Sequence, residues 1–165
     1  MPLPESHEAE SFLDRLDTIW KEIGIGPPMR PVGNLPRMPA EPTALDDVAL
    51  MSALAEVNSW LEYLDVAVGS AEGEHGARTR ALKATEARAV RASSEKSMAA
   101  RERMAELDEG VMRARRQEAF AYERETILKA RLSGLERIAS VLSREVTRRS
   151  AHAGALRHVG ARMTA

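Results

Sequence analysis

Apolar residues recur every three or four positions along two long stretches of this chain, which is the period of a helix that buries one stripe. In the later stretch the stripe reads Leu128, Leu132, Leu135, Ala139, Leu142 and Val146, while the other faces fill with arginine. In the earlier one it reads Leu50, Leu54, Val57, Leu61, Leu64 and Val68, flanked by Trp60 and Tyr63. Both have the heptad-like spacing of helices that pack against helices. A third, shorter pattern, Phe12, Leu13, Leu16, Ile19, Trp20 and Ile23, predicts an amphipathic helix capped by Ser6 and stopped at Gly24.

Between the first helix and the first long one, residues 24–43 hold six prolines and three glycines. Neither helix nor strand persists through such a segment. It reads as an extended linker at about 3.1 Å per residue, long enough to carry the first helix roughly 60 Å away. Thr43 and Asp46 have capping-box-like spacing, so the first long helix is predicted from residue 44 to 92, with a weak point at Gly69, Gly73 and Gly76. Residues 92–110 are polar without a clear stripe and read as a partly helical turn region. The second long helix is expected from about 113 to 150, followed by a frayed tail containing Gly154 and Gly160.

The predicted fold is all-α: a long antiparallel helical hairpin that oligomerises, with a short N-terminal helix on a Pro-rich linker. The expected divisions are an amphipathic arm at 1–23, the linker at 24–43, the hairpin and oligomerisation domain at 44–150, and a flexible tail at 151–165. Two helices bury only one stripe each, and Phe120, Ile127, Ile138 and Val141 lie off the second stripe. A shared core between copies is therefore expected, built from Leu50, Leu54, Val57, Trp60, Leu61, Leu64, Leu128, Leu132, Leu135, Leu142 and Val146. A monomeric bundle folded back at the three glycines is the alternative.

Composition supports helices and narrows the chemistry. The 165 residues are 44% hydrophobic, 30% charged and only 4% aromatic, with apolar content dominated by alanine, leucine, valine and methionine. With no cysteine, disulfides and thiolate metal sites are excluded and a reducing compartment is expected. No apolar run reaches the roughly 20 residues that span a bilayer, and the acidic N-terminus does not read as a signal peptide. The four histidines, His7, His75, His152 and His158, fall at no metal-ligand spacing, and no phosphate-binding glycine loop or nucleophile motif occurs. Neither an enzyme nor a bound cofactor is expected.

The net charge of −1 conceals a gradient: residues 1–50 carry −5, residues 51–110 carry −3 and residues 111–150 carry +5. Such asymmetry points either to nucleic-acid contact or to pairing between the halves of one molecule. The candidate nucleic-acid-binding residues are Arg78, Arg80, Lys83, Arg88 and Arg91 on the first long helix and Arg144, Arg148 and Arg149 on the second. Glu72, Glu74 and Glu86 interleave with the first set, and that alternation equally suits simple helix support. With few aromatics for base stacking, binding would be weak and sequence-tolerant. The arm offers Phe12, Leu16, Ile19 and Trp20 to a groove on a partner or on its own oligomer.

Over residues 45–150 the chain resembles the UvsY-type recombination mediator proteins of phages. Trp60-Leu61 stands where that family has a Trp-Leu pair in its first helix, and Ala81-Leu82-Lys83-Ala84 matches a second motif. In the T-even phage proteins this motif continues with an arginine, and its basic pair is associated with DNA binding. Here Thr85 takes that place, so Lys83 carries over while Arg80 or Arg88 substitutes only from a turn away. The stretch Leu135 to Arg149 is similar to the closing helix of actinophage proteins placed near this family. The resemblance implies a small all-helical oligomer that binds ssDNA and helps load a RecA-like recombinase onto it. The single-strand DNA-binding protein is a further expected partner, and the infected host's cytoplasm the expected location. The alternative is a non-enzymatic phage assembly or scaffolding protein without DNA affinity.

Overall fold

The computed structural model describes residues 12–24, 26 and 28–163, with the backbone alone for 12–16 and 154–163. Among the described residues four α-helices follow one another: α1 (Phe12–Glu22), α2 (Asp47–Ala92), α3 (Met98–Glu106) and α4 (Glu109–Met163). The described residues contain no strand. Long helix α2 packs against long helix α4, giving the expected all-helical hairpin. No described helix is long and apolar enough to cross a membrane.

Each helix boundary has a local chemical cause. At the end of α1 the Gly24 N–H donates to the Lys21 carbonyl (3.2 Å), and Gly24 takes φ 69°, a left-handed conformation natural to glycine. The expected cap at Ser6 lies outside the described residues. The start of α2 differs from expectation. Thr43 sits in a short 3₁₀ turn, Pro42–Ala44, and the cap is Asp46, whose carboxylate accepts from the Ala49 N–H at 2.7 Å. Asp108 does the same for α4 through the Val111 N–H at 3.0 Å, leaving an aspartate at the positive end of each dipole.

Of three further stretches, only the C-terminal tail departs from the sequence reading. α2 continues helical through Gly69, Gly73 and Gly76, because propensity losses of about 1 kcal/mol each are small beside the packing of a long helix. Within the polar stretch at 92–110, Ser97 caps α3 by accepting from the Ala100 N–H. The tail expected to fray is helical to Met163.

The chain divides into two compact units, one of residues 1–27 and 66–129, the other of residues 28–65 and 130–165. In the second unit the core is Leu50, Val57, Trp60, Leu64, Leu135 and Leu142, all at most 4% exposed. Trp60 takes the inward place expected of Leu61, which is only half-buried. From Pro28 onward the proline-rich stretch belongs to this unit and docks instead of extending away. The Arg30 guanidinium lies 5.7 Å from the Trp60 ring centroid, and Tyr63 meets that ring edge-on at 6.0 Å. Between this strap and the helices lies an open groove of about 850 Å³, floored by Val57, Leu64 and Leu142. Six of the eleven residues expected to form a core between copies, Leu50, Val57, Trp60, Leu64, Leu135 and Leu142, are buried in the seam of the single chain. Leu54, Leu61, Leu132 and Val146 of this unit are half-buried, as is Leu128 of the first unit.

Among the described residues of the first unit the buried positions are Val68, Ala71, Ala105, Val111 and Ala121. Small side chains dominate, and from residue 72 onward the α2–α4 pairing turns polar.

Candidate nucleic-acid interface

The glutamates that interleave with the α2 cations decide which cations remain free. Glu72 meets Lys129 at 2.7 Å, Glu74 meets Arg124 at 2.8 Å, and Glu86 meets Arg115 at 3.0 Å. All three carboxylates therefore pair across to α4 and leave the outer face of α2. Arg78 goes with them, donating to the Gln117 side chain at 3.2 Å and lying 3.9 Å from Glu74.

What remains on the outside is Arg80, Lys83, Arg88 and Arg91, all exposed and none with a carboxylate partner among the described residues. At 3.6 residues per turn the four fall within an arc of roughly 140°. Ala84 and Ala87, also exposed, separate them without covering them. The Arg88 Nε donates to the Ala84 carbonyl at 3.3 Å and the Arg91 Nε to the Ala87 carbonyl at 3.1 Å, which lays both stems along the helix. The terminal nitrogens of Arg91 have no partner among the described residues, whereas Arg88 also reaches the Thr85 hydroxyl at 3.4 Å. Thr85, standing where the resembled family has an arginine, thus orients an arginine instead. This side chain in turn donates to the Ala81 carbonyl at 2.9 Å.

The three candidates on α4 belong to the other unit and have different fates. Arg144 is exposed with no partner among the described residues. Arg148 makes a two-pronged pair with Glu145, at 2.8 and 2.7 Å, and stays 63% exposed. Arg149 is an internal strut. It donates to Glu145 and Asp47 at 2.7 Å each and to the carbonyls of Thr43 and Leu45 at 3.1 and 2.7 Å. Those bonds use the guanidinium's donors to tie the strap and the start of α2 to α4, and so withdraw Arg149 from any ligand. Glu145, only 7% exposed, is held down to about 2 by Arg148 first and Arg149 second.

Of the arm's candidates, Ile19 is half exposed and Trp20 half-buried, while the side chains of Phe12 and Leu16 lie outside the described residues. One cluster escaped the sequence reading, namely His75 between Glu118 and Glu125. Its signal is the heptad itself. Counted back from Leu128 in steps of three and four, the inward positions of α4 are Glu125, Ala121, Glu118, Ala114 and Val111. Among the described residues no group of acidic or histidine side chains is arranged to hold a metal.

Compared with known proteins, the chain matches no family, no curated protein and no solved structure.

Proposed function

We propose that this protein is a recombination mediator that holds single-stranded DNA along the outer face of α2 and presents it to a RecA-like recombinase. The observation that carries the reading is the cleared basic face, in which Arg80, Lys83, Arg88 and Arg91 stand free of carboxylates because Glu72, Glu74 and Glu86 have turned to α4. A polyanion that meets such a face displaces its own condensed counterions without first breaking an ion pair. Binding through phosphates suits a mediator, which must accept any sequence and release it. The resemblance at Trp60-Leu61 and Ala81 to Ala84 supports the same class, as do the exposed Ile19 of α1 and Ile23 just beyond it for a protein partner. No covalent step is part of the proposal.

The test is fluorescence anisotropy of a labelled oligothymidine. If all four cations meet phosphates, log K falls with log salt with a slope of roughly −2.8, which is about a 50-fold loss of affinity between 50 and 200 mM salt. In Lys83→Ala with Arg91→Ala the slope halves to roughly −1.4. Arg137→Ala, which lies on α4 and outside that face of α2, leaves the slope unchanged. The recombinase claim needs its own readout: faster filament nucleation on oligothymidine when the protein is added. Absence of binding at 50 mM salt removes the DNA claim and favours a helical assembly protein.

A further inference from the structure

Midway through the first unit the α2–α4 seam places an ionisable side chain where an apolar one belongs. His75 follows Ala71 on the inward stripe of α2, and α4 presents Glu118 and Glu125, seven residues apart, to its two ring nitrogens. Nδ1 lies 2.7 Å from Glu125 and Nε2 lies 3.1 Å from Glu118. A neutral imidazole carries one N–H, so its other nitrogen would turn a lone pair toward a carboxylate oxygen. Only the imidazolium, with two N–H groups, satisfies both contacts.

The neighbours make that charge necessary. Glu125 is shared with Lys129, which also reaches Glu72, and Glu74 takes Arg124 with Arg78 behind it. Four carboxylates thus face three permanent cations, and the fourth positive charge comes from His75. Glu118 has no partner among the described residues other than His75. The Tyr122 ring, tilted 59° at 5.4 Å, also lies against the imidazole, and the Thr79 hydroxyl donates to the His75 carbonyl.

We propose that His75 is a protonation-controlled clamp between α2 and α4: as the imidazolium it closes the hairpin of the first unit, and as the neutral ring it releases Glu118 and loosens that pairing. The inference does not rest on DNA binding. Hydrogen bonds to Glu125 and then Glu118 raise the His75 pKa above its ordinary 6.5, against the opposing effect of its own burial. Glu125 is lowered, by Lys129 first and His75 second. A histidine raised on folding contributes stability that is complete below its unfolded pKa and lost as pH rises through the folded one. The clamp therefore opens on the alkaline side, opposite to the usual acid-triggered histidine switch.

Histidine-selective NMR of the full chain tests this, with the His75 signal assigned by its disappearance in His75→Gln. The expected result is a His75 ring protonated on both nitrogens at neutral pH and titrating above 6.5. The midpoint of thermal unfolding should fall from pH 6.5 to pH 9 in the parent and stay level in His75→Gln. Glu118→Gln, which keeps a hydrogen-bonding group in place, should move the His75 titration downward and flatten the fall. A His75 that titrates at or below 6.5, or parallel melting curves for parent and Glu118→Gln, overturns the clamp. The NMR titration of the parent and the Glu118→Gln comparison decide the matter even where His75→Gln does not fold.

Discussion

Trp60 shows how much one residue of register matters. The regular spacing of Leu54, Val57, Leu61 and Leu64 points to Leu61 as the inward position, yet Trp60 is 3% exposed and Leu61 half-buried. The Arg30 guanidinium of the strap lies over the indole, 5.7 Å from its ring centroid. Its Nε1 is buried without a hydrogen-bond partner. Trp60→Ala is therefore expected to cost about 3–5 kcal/mol in urea unfolding, against a smaller loss for Leu61→Ala. Trp60→Phe should cost much less than Trp60→Ala, since it loses no hydrogen bond and removes an orphan donor whose burial is itself unfavourable. Leu142, with no exposed surface, sets the aliphatic comparison: Leu142→Ala should cost about 2–5 kcal/mol.

At the scale of elements, the helices begin where aspartates offer caps. Asp46→Ala should cost about 1 kcal/mol of stability while Thr43→Ala costs less, because the Asp46 carboxylate holds the first turn of α2. The strap depends on Arg149 in the same direct way. Losing that guanidinium leaves the Thr43 and Leu45 carbonyls and Asp47 without its bonds, and leaves Glu145 with Arg148 alone. Arg149→Ala should accordingly lower the melting temperature more than Arg148→Ala, whose partner Glu145 retains a second cation. Acid tests the same network. Because Glu145 is depressed to about 2, its contribution is present above its ordinary 4.5 and lost as pH falls toward 2. Glu145→Gln should remove that part of the acid-induced decline and lower the melting temperature at neutral pH.

For the molecule as a whole, the uneven distribution of charge serves two purposes that residue counts merge. Part of the positive charge is spent on cross-helix pairs at Arg115, Arg124, Lys129 and Arg149, and part stays outside at Arg80, Lys83, Arg88, Arg91 and Arg144. Self-association is a separate matter, because the seam residues are already used within one chain. The surfaces left for it are exposed apolar residues such as Phe120 and Ile127, at 67% and 59% exposure. We expect Phe120→Asp with Ile127→Asp to reduce the sedimenting size of the protein while leaving its helical circular dichroism intact. An unchanged size distribution would place association elsewhere.

The all-helical class, the hairpin pairing and most of the seam were legible from a 3.6-residue period, because burial of one stripe is a local property of a helix. The same period continued through His75, Glu118 and Glu125 but went unread, since a pattern sought in apolar residues does not register ionisable ones in the same places. Composition also showed that neither disulfides nor thiolate metal sites were available. Tertiary structure alone decided which charges face inward. Glu72, Glu74 and Glu86 interleave with arginines in sequence, yet their partners lie on another helix some 30 to 60 residues away. It also decided that the proline-rich segment docks as a strap and that Arg149 holds it there. Propensity governs neighbours along the chain, whereas an ion pair or a ring contact depends on which distant residues the packing of α2 and α4 brings within a few ångströms.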